Sequence, residues 1–131
     1  MKQYVVSAEE MKRYDSNTTK LFQVPSLLLM ERAALETVGE ICRCVGEKRQ
    51  RMLVVAGSGN NGGDGLAIGR ILMLRGWQVD FVLTGDPAKQ SAETRKQSEI
   101  LQAYGVSFYD RIPNDEYDVI VDAILGIGLT R

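Results

Sequence analysis

The densest chemistry in the chain lies in nine consecutive residues, Gly57-Ser58-Gly59-Asn60-Asn61-Gly62-Gly63-Asp64-Gly65. Gly57, Gly59 and Gly62 spell G-x-G-x-x-G after an apolar run and ahead of a helical pattern, the context of a dinucleotide-binding turn. Glycine permits positive φ and close approach of a ligand to the backbone. The start of the following helix offers free N–H groups and a positive dipole end to a phosphate. The spacing alone is a weak signal, because a bare strand-to-helix turn uses the same glycines. Asn60, Asn61 and Asp64 add what such a turn does not need. Amide and carboxylate oxygens among glycines suit sugar hydroxyls or a hard cation.

Asp122 is the second feature. It interrupts the run Val119-Ile120-Val121-Asp122-Ala123-Ile124-Leu125. If that strand is buried, the carboxylate costs several kcal/mol, to order of magnitude, unless it is paired, protonated or bound to a cation. Two readings stand side by side: a carboxylate satisfied by backbone N–H groups at the strand end, and a cation ligand or acid–base group. Gly126-Ile127-Gly128-Leu129-Thr130-Arg131 follows as a second glycine turn placed to close over a ligand, with Arg131 a possible phosphate partner. The chain has no histidine, so any catalytic proton rides on a carboxyl, lysine, tyrosine or water. Asp86, near the end of the second strand, stands where a ribose-binding acid would lie. Beside Pro87 it reads better as a helix cap.

These residues need elements to hold them. Ser7 and Glu10 form a capping box that opens a short helix through Met11 and Tyr14. After Pro25, Leu27, Met30, Ala34, Val38, Ile41 and Val45 make one apolar helical stripe, stopped by Gly46. Met52 to Ala56 reads as a strand buried on both faces. A helix follows from Leu66 to Leu74, with Asp64 a possible cap and Gly76 its stop. Val79, Phe81 and Leu83 alternate in a second strand, closed by Thr84-Gly85-Asp86-Pro87. A helix over roughly Lys89 to Tyr104, its charges a solvated face, ends at Gly105. Val106 to Tyr109 is a short third strand, and Asp118 to Leu125 a buried fourth. The alternation predicts a Rossmann-like α/β domain: a mostly parallel sheet, helices on both faces, two leading helices, and an incomplete C-terminal end. With strand order 3-2-1-4, the glycine turn and Asp122 face each other across the switch point, outside the carboxyl ends of strands one and four.

The totals exclude several classes. The 131 residues make one domain, with 44% hydrophobic and 25% charged residues. Sixteen basic against 17 acidic side chains give a net charge of −1, with no basic footprint for nucleic acid or a membrane surface. No apolar run is long enough to span a membrane, and the N-terminus carries no signal-peptide pattern, so a cytoplasmic location is expected. Cys42 and Cys44, two apart on a helix, make a poor metal site and read as packing residues.

Taken together, Ala56 to Gly65 (A-G-S-G-N-N-G-G-D-G), Leu29-Met30-Glu31-Arg32-Ala33-Ala34 and Asp122-Ala123-Ile124-Leu125-Gly126 resemble the NAD(P)H-hydrate epimerase family, the YjeF N-terminal domain. Met11 and Asp15 fit the start of the pattern. The resemblance covers essentially the whole chain, and makes residues 1–131 a partial domain of that family. It implies an epimerase that interconverts the R and S hydrates of NADH and NADPH, with Asn60, Asn61, Gly62, Gly63 and Asp64 on the substrate. It further implies potassium on Asn61 and Asp122 and a loop Gly126, Ile127, Gly128, Leu129, Thr130 and Arg131 closing on the substrate; for the proton that such a reaction moves without histidine, Asp122 is the first candidate and Asp64 the second. The family's later D-x-P-S-G-type motif is not in the sequence, so a complete active site from these residues alone is not expected. The implied partner is an ADP- or ATP-dependent dehydratase, fused or separate, with a second copy in a homodimer as an open option. The alternatives are a non-catalytic binding or scaffold module, as in relatives that bind an apolipoprotein or act in messenger-RNA decapping, and an ordinary nicotinamide-dependent enzyme.

Overall fold

The structure is a computed structural model, and residues 23–46, 48 and 50–125 are described. The expected capping-box helix at Ser7 and the closing loop at Gly126–Arg131 lie outside them. The elements run α1 (Ser26–Val45), β1 (Arg51–Ala56), α2 (Asn60–Leu74), β2 (Gln78–Leu83), a 3-10 turn (Pro87–Lys89), α3 (Ala92–Ala103) and β3 (Val119–Ala123).

The stripe of α1 behaves as its spacing predicts. Met30, Ala34 and Val38 are buried, and the helix stops at Gly46, whose φ of 85° suits a residue without Cβ. β1 is the centre of a three-stranded parallel sheet of order β2-β1-β3. Its run Met52-Leu53-Val54-Val55-Ala56 is buried throughout, as a central parallel strand requires. Met52, Val54 and Ala56 pack with Phe81 of β2 and with Ala34, Val38, Leu66, Ile68, Leu72 and Leu101 from the helices. Burying a side chain of this size contributes about 1.5–3 kcal/mol. Leu53, Val55 and Val82 form a second cluster on the opposite face, joined by Tyr117 and by no described helical residue.

Three expectations need correction. The third strand is reduced to one parallel bridge, Val82 to Tyr109. Its place beside β2 still matches the order 3-2-1-4, but Val106–Tyr109 is too short to build a ladder. The second helix starts at Asn60, not Leu66. Gly62, Gly63 and Gly65 are poor helix formers; close packing of Gly62 on the Gly57 backbone, of Gly63 on Thr94 and Met30, and of Gly65 on Ala123 offsets that cost. The fourth strand is not buried on both faces. β3 is an edge strand among the described residues, with Ile120 62% exposed and Asp122 exposed on alternate positions. Only Val119, Val121 and Ala123 face the helical core.

The helix read over Lys89 to Tyr104 divides in two. Asp86 accepts a hydrogen bond from the Ala88 amide at 2.9 Å and caps the 3-10 turn, as its place beside Pro87 suggests. Ser91 then caps α3 through the Thr94 amide at 3.1 Å. No described helix is long and apolar enough to cross a membrane.

Candidate active-site cleft

The carboxyl ends of β1 and β3 meet where the glycine segment turns into α2. Ala123 accepts a hydrogen bond from the Gly57 amide at 2.9 Å. A Cβ on Gly57 would overlap the Ile124 carbonyl, and one on Gly62 would overlap the Gly57 carbonyl oxygen. Glycine is therefore required here for close approach of backbone to backbone. None of the glycines from Gly57 to Gly65 has positive φ, so of the two freedoms glycine offers, this turn uses close approach and not left-handed backbone. Gly59 differs from its neighbours. It is the extended N-cap of α2, exposed, and a Cβ there would meet nothing within 4 Å.

Asp64 does not cap a helix. With α2 beginning at Asn60 it sits in the second turn, half-buried. Asn60 is exposed in the first turn, and Asn61 beside it is half-buried. The Asn61 side-chain amide donates to the Leu125 carbonyl at 3.0 Å, joining α2 to the chain just beyond β3. Asp122 pairs with Val55 in the sheet register. Its carboxylate accepts the Ile124 amide at 3.2 Å, the strand-end contact that one reading of the sequence anticipates. The argument from burial cost fails for Asp122, because the residue is exposed on an edge strand.

The geometry nonetheless brings Asn61, Asp64 and Asp122 to one place. They line a cleft of about 280 Å³ with Ala33, Ala34 and Thr37 of α1, Gly65 and Ile68 of α2, and Val121 and Ala123 of β3. It lies at the switch point, where open α/β sheets bind ligands. Its polar groups are oxygen donors of amide and carboxylate type, a set that suits a hard cation. Among the described residues no three His, Cys, Asp or Glu side chains cluster as metal ligands.

Sequence reasoning missed the supports behind this cleft. Glu31 and Arg70 form an ion pair between α1 and α2, with Arg70 Nη2 to Glu31 Oε1 at 2.7 Å. Thr94, Gln97, Ser98 and Leu101 are buried on α3. Their spacing of three, four and seven is a helical face. Three of the four are polar, which is why a search for apolar stripes passed over them.

Residues 26–131 match the family described as YjeF-related protein N-terminus. The chain belongs to this family. Proteins named NAD(P)H-hydrate epimerase from Limosilactobacillus reuteri (strain ATCC 55730 / SD2112) and Weissella koreensis are 44% and 42% identical to it, over 97% and 96% of this chain. The same alignments take in 60% and 57% of those proteins, so the chain spans about three-fifths of the length of the curated relatives it matches. The crystal structure of the yeast protein ynu0 superposes with a TM-score of 0.80 at 24% identity, covering 98% of this chain and 59% of that one. That likeness shows a shared fold. Of the family segments read in the sequence, Leu29–Ala34 supplies Met30 to the core, Glu31 to the ion pair with Arg70, and Ala33 and Ala34 to the cleft wall.

Proposed function

We propose that this YjeF-family chain carries the front part of an NAD(P)H-hydrate epimerase site, one that interconverts the R and S hydrates of NADH and NADPH. The convergence of Asn61, Asp64 and Asp122 on one cleft at the ends of β1 and β3 carries the reading. The names of the relatives support the substrate class. A scaffold would need none of these three side chains at a switch point.

The hydrated carbon bears a hydroxyl beside the ring nitrogen. Protonation of that hydroxyl lets it leave as water while the nitrogen lone pair forms an iminium bond. Water adds to the opposite face and gives up a proton, so atoms and charge balance. Asp122 supplies and takes back the proton, and Asp64 is the second candidate. Positioned acid–base groups of this kind contribute about 10²–10⁴-fold. Asn60, Asn61, Gly62 and Gly63 orient the substrate at the start of α2, and residues Gly126 to Arg131 close over it. Potassium fits the oxygen donors of Asn61 and Asp122, and would supply fixed positive charge beside substrate oxygens. A dehydratase that accepts one epimer, fused or separate, is the step that consumes the product.

The test uses the full-length protein and follows R-to-S interconversion by chromatography. The wild type interconverts the epimers, withdrawal of potassium slows it, and Asp122→Asn lowers the rate about 100-fold or more. Full activity in Asp122→Asn removes that residue from the chemistry. No interconversion by wild type, with the protein folded, favours a binding module instead.

A further inference from the structure

The turn that leads into α2 is held from behind by a segment with no role in the proposed chemistry. Thr84 donates its amide to the Ala56 carbonyl at 2.8 Å. Ser91 donates its amide to the Ser58 carbonyl at 2.9 Å. Thr94, fully buried, donates its hydroxyl at 2.7 Å to the Gly59 carbonyl, which also accepts the Gly62 amide of α2 at 3.0 Å. Ser91 Oγ donates to Thr94 Oγ1 at 3.0 Å and accepts the Thr94 amide at 3.1 Å, which fixes the hydroxyl's direction. Three carbonyl groups near the turn, those of Ala56, Ser58 and Gly59, are thus gripped from the β2–α3 side.

The grip has a consequence for the other side of the backbone. No peptide bond among the described residues is cis. In a trans peptide the C=O of one residue and the N–H of the next point in opposite directions. Holding the Ser58 and Gly59 carbonyls toward α3 therefore turns the Gly59 and Asn60 N–H groups outward, and both residues are exposed. These are donors at the start of α2, where a dinucleotide's phosphates are best placed. Gly63 leaves room for this side chain, because a Cβ there would stand 2.8 Å from the Thr94 hydroxyl. The side chain and the missing side chain share one space.

We propose that Thr94 is a positioning residue for this turn, its buried hydroxyl setting the direction of the Gly59–Asn60 peptide and so of the donors that meet the substrate. The inference rests on the epimerase reading, and its test separates the two.

Thr94→Val keeps the shape and removes the hydroxyl; Thr94→Ser keeps the hydroxyl. Full-length wild type and both variants are assayed for R-to-S interconversion across substrate concentrations, with thermal unfolding measured alongside. A donor set that binds ground state and transition state alike acts on KM and not on kcat. The expected result is a KM raised about tenfold in Thr94→Val with kcat within about twofold, and a KM close to wild type in Thr94→Ser. A merely structural role would lower the active fraction, reducing kcat and leaving KM unchanged. That pattern, or unaltered kinetics in Thr94→Val, overturns the inference while wild-type activity leaves the epimerase reading standing. An inactive wild type overturns both.

Discussion

The two ends of the sheet each gather polar and charged groups, and they use them in opposite ways. At the amino end, Arg51 binds Asp115 through two hydrogen bonds of 2.7 and 2.6 Å and stacks over the Tyr117 ring, 5.4 Å from its centroid. Tyr117 donates to Asp80 at 2.7 Å, and the Arg51 amide donates to Asp118 at 2.8 Å. The Arg51 guanidinium holds the Asp115 carboxyl below the usual carboxylate range, and its hydrogen bond to Asp115 raises its own value. These side chains pair with one another, although Arg51 Nε is buried without a hydrogen bond, and they tie the 110–118 segment to β1. At the carboxyl end, Asn61, Asp64 and Asp122 come from different elements and share a cleft. A cluster of charges does not itself mark a site. Position at the switch point and an open space between the groups do.

The sharpest way to break this contrast is at Gly62. Alanine is the better helix former by about 1 kcal/mol. Here, however, its Cβ would overlap the Gly57 carbonyl oxygen and stand 2.8 Å from the carbonyl carbon, both backbone atoms that cannot swing aside. The clash should reverse the propensity gain. Gly62→Ala is expected to destabilise the fold by about 3 kcal/mol or more, read from the midpoint of denaturant unfolding. An unchanged midpoint would mean that the turn yields easily and is not the rigid wall the cleft needs.

The amino end is tested by pH. Burial, and then the hydrogen bond to Asp80, push the Tyr117 phenol up to about 12 from its ordinary 10.0. A value raised on folding contributes stability that is full below about pH 10 and is lost as pH rises toward 12. Ultraviolet titration should show one late tyrosinate, and the unfolding temperature should fall over that window. Tyr117→Phe removes the late step and flattens the fall. If all the tyrosines titrate together in the wild type, the cluster does not grip its phenol. Little effect on the carboxyl-end cleft is expected, since no residue of this cluster lines it.

The helical stripe of α1 and the buried run of β1 were legible because each is a local pattern of apolar residues, and the strand order followed from the alternation of strands and helices. The beginning of α2 was not. Three glycines within six residues speak against a helix, and only the contacts of Gly62, Gly63 and Gly65 with Gly57, Thr94 and Ala123 explain them. One cue to the candidate residues does not hold in the structure. Asp122 stood out as a charge in an apolar run, yet it is exposed, since Ile120 and Asp122 occupy the alternate face of an edge strand. Thr94 was hidden because a polar residue buried for the sake of one carbonyl leaves no hydropathy signal.

Gly59 gives the smallest expected change in stability and the most informative contrast with Gly62. Its φ of −78° is open to any residue, and a Cβ would meet no atom within 4 Å. Nothing in the fold therefore requires glycine at this position. Alanine is a poorer N-cap than glycine, but Gly59 makes no side-chain cap bond to lose. Gly59→Ala should shift unfolding by no more than about 0.5 kcal/mol. If the residue is glycine because a ligand approaches its backbone, the same substitution weakens substrate binding while the fold is untouched, and KM in the full-length protein rises. Equal stability with equal KM would leave the glycine without a ligand-based reason, and would move the phosphate-binding role away from this turn.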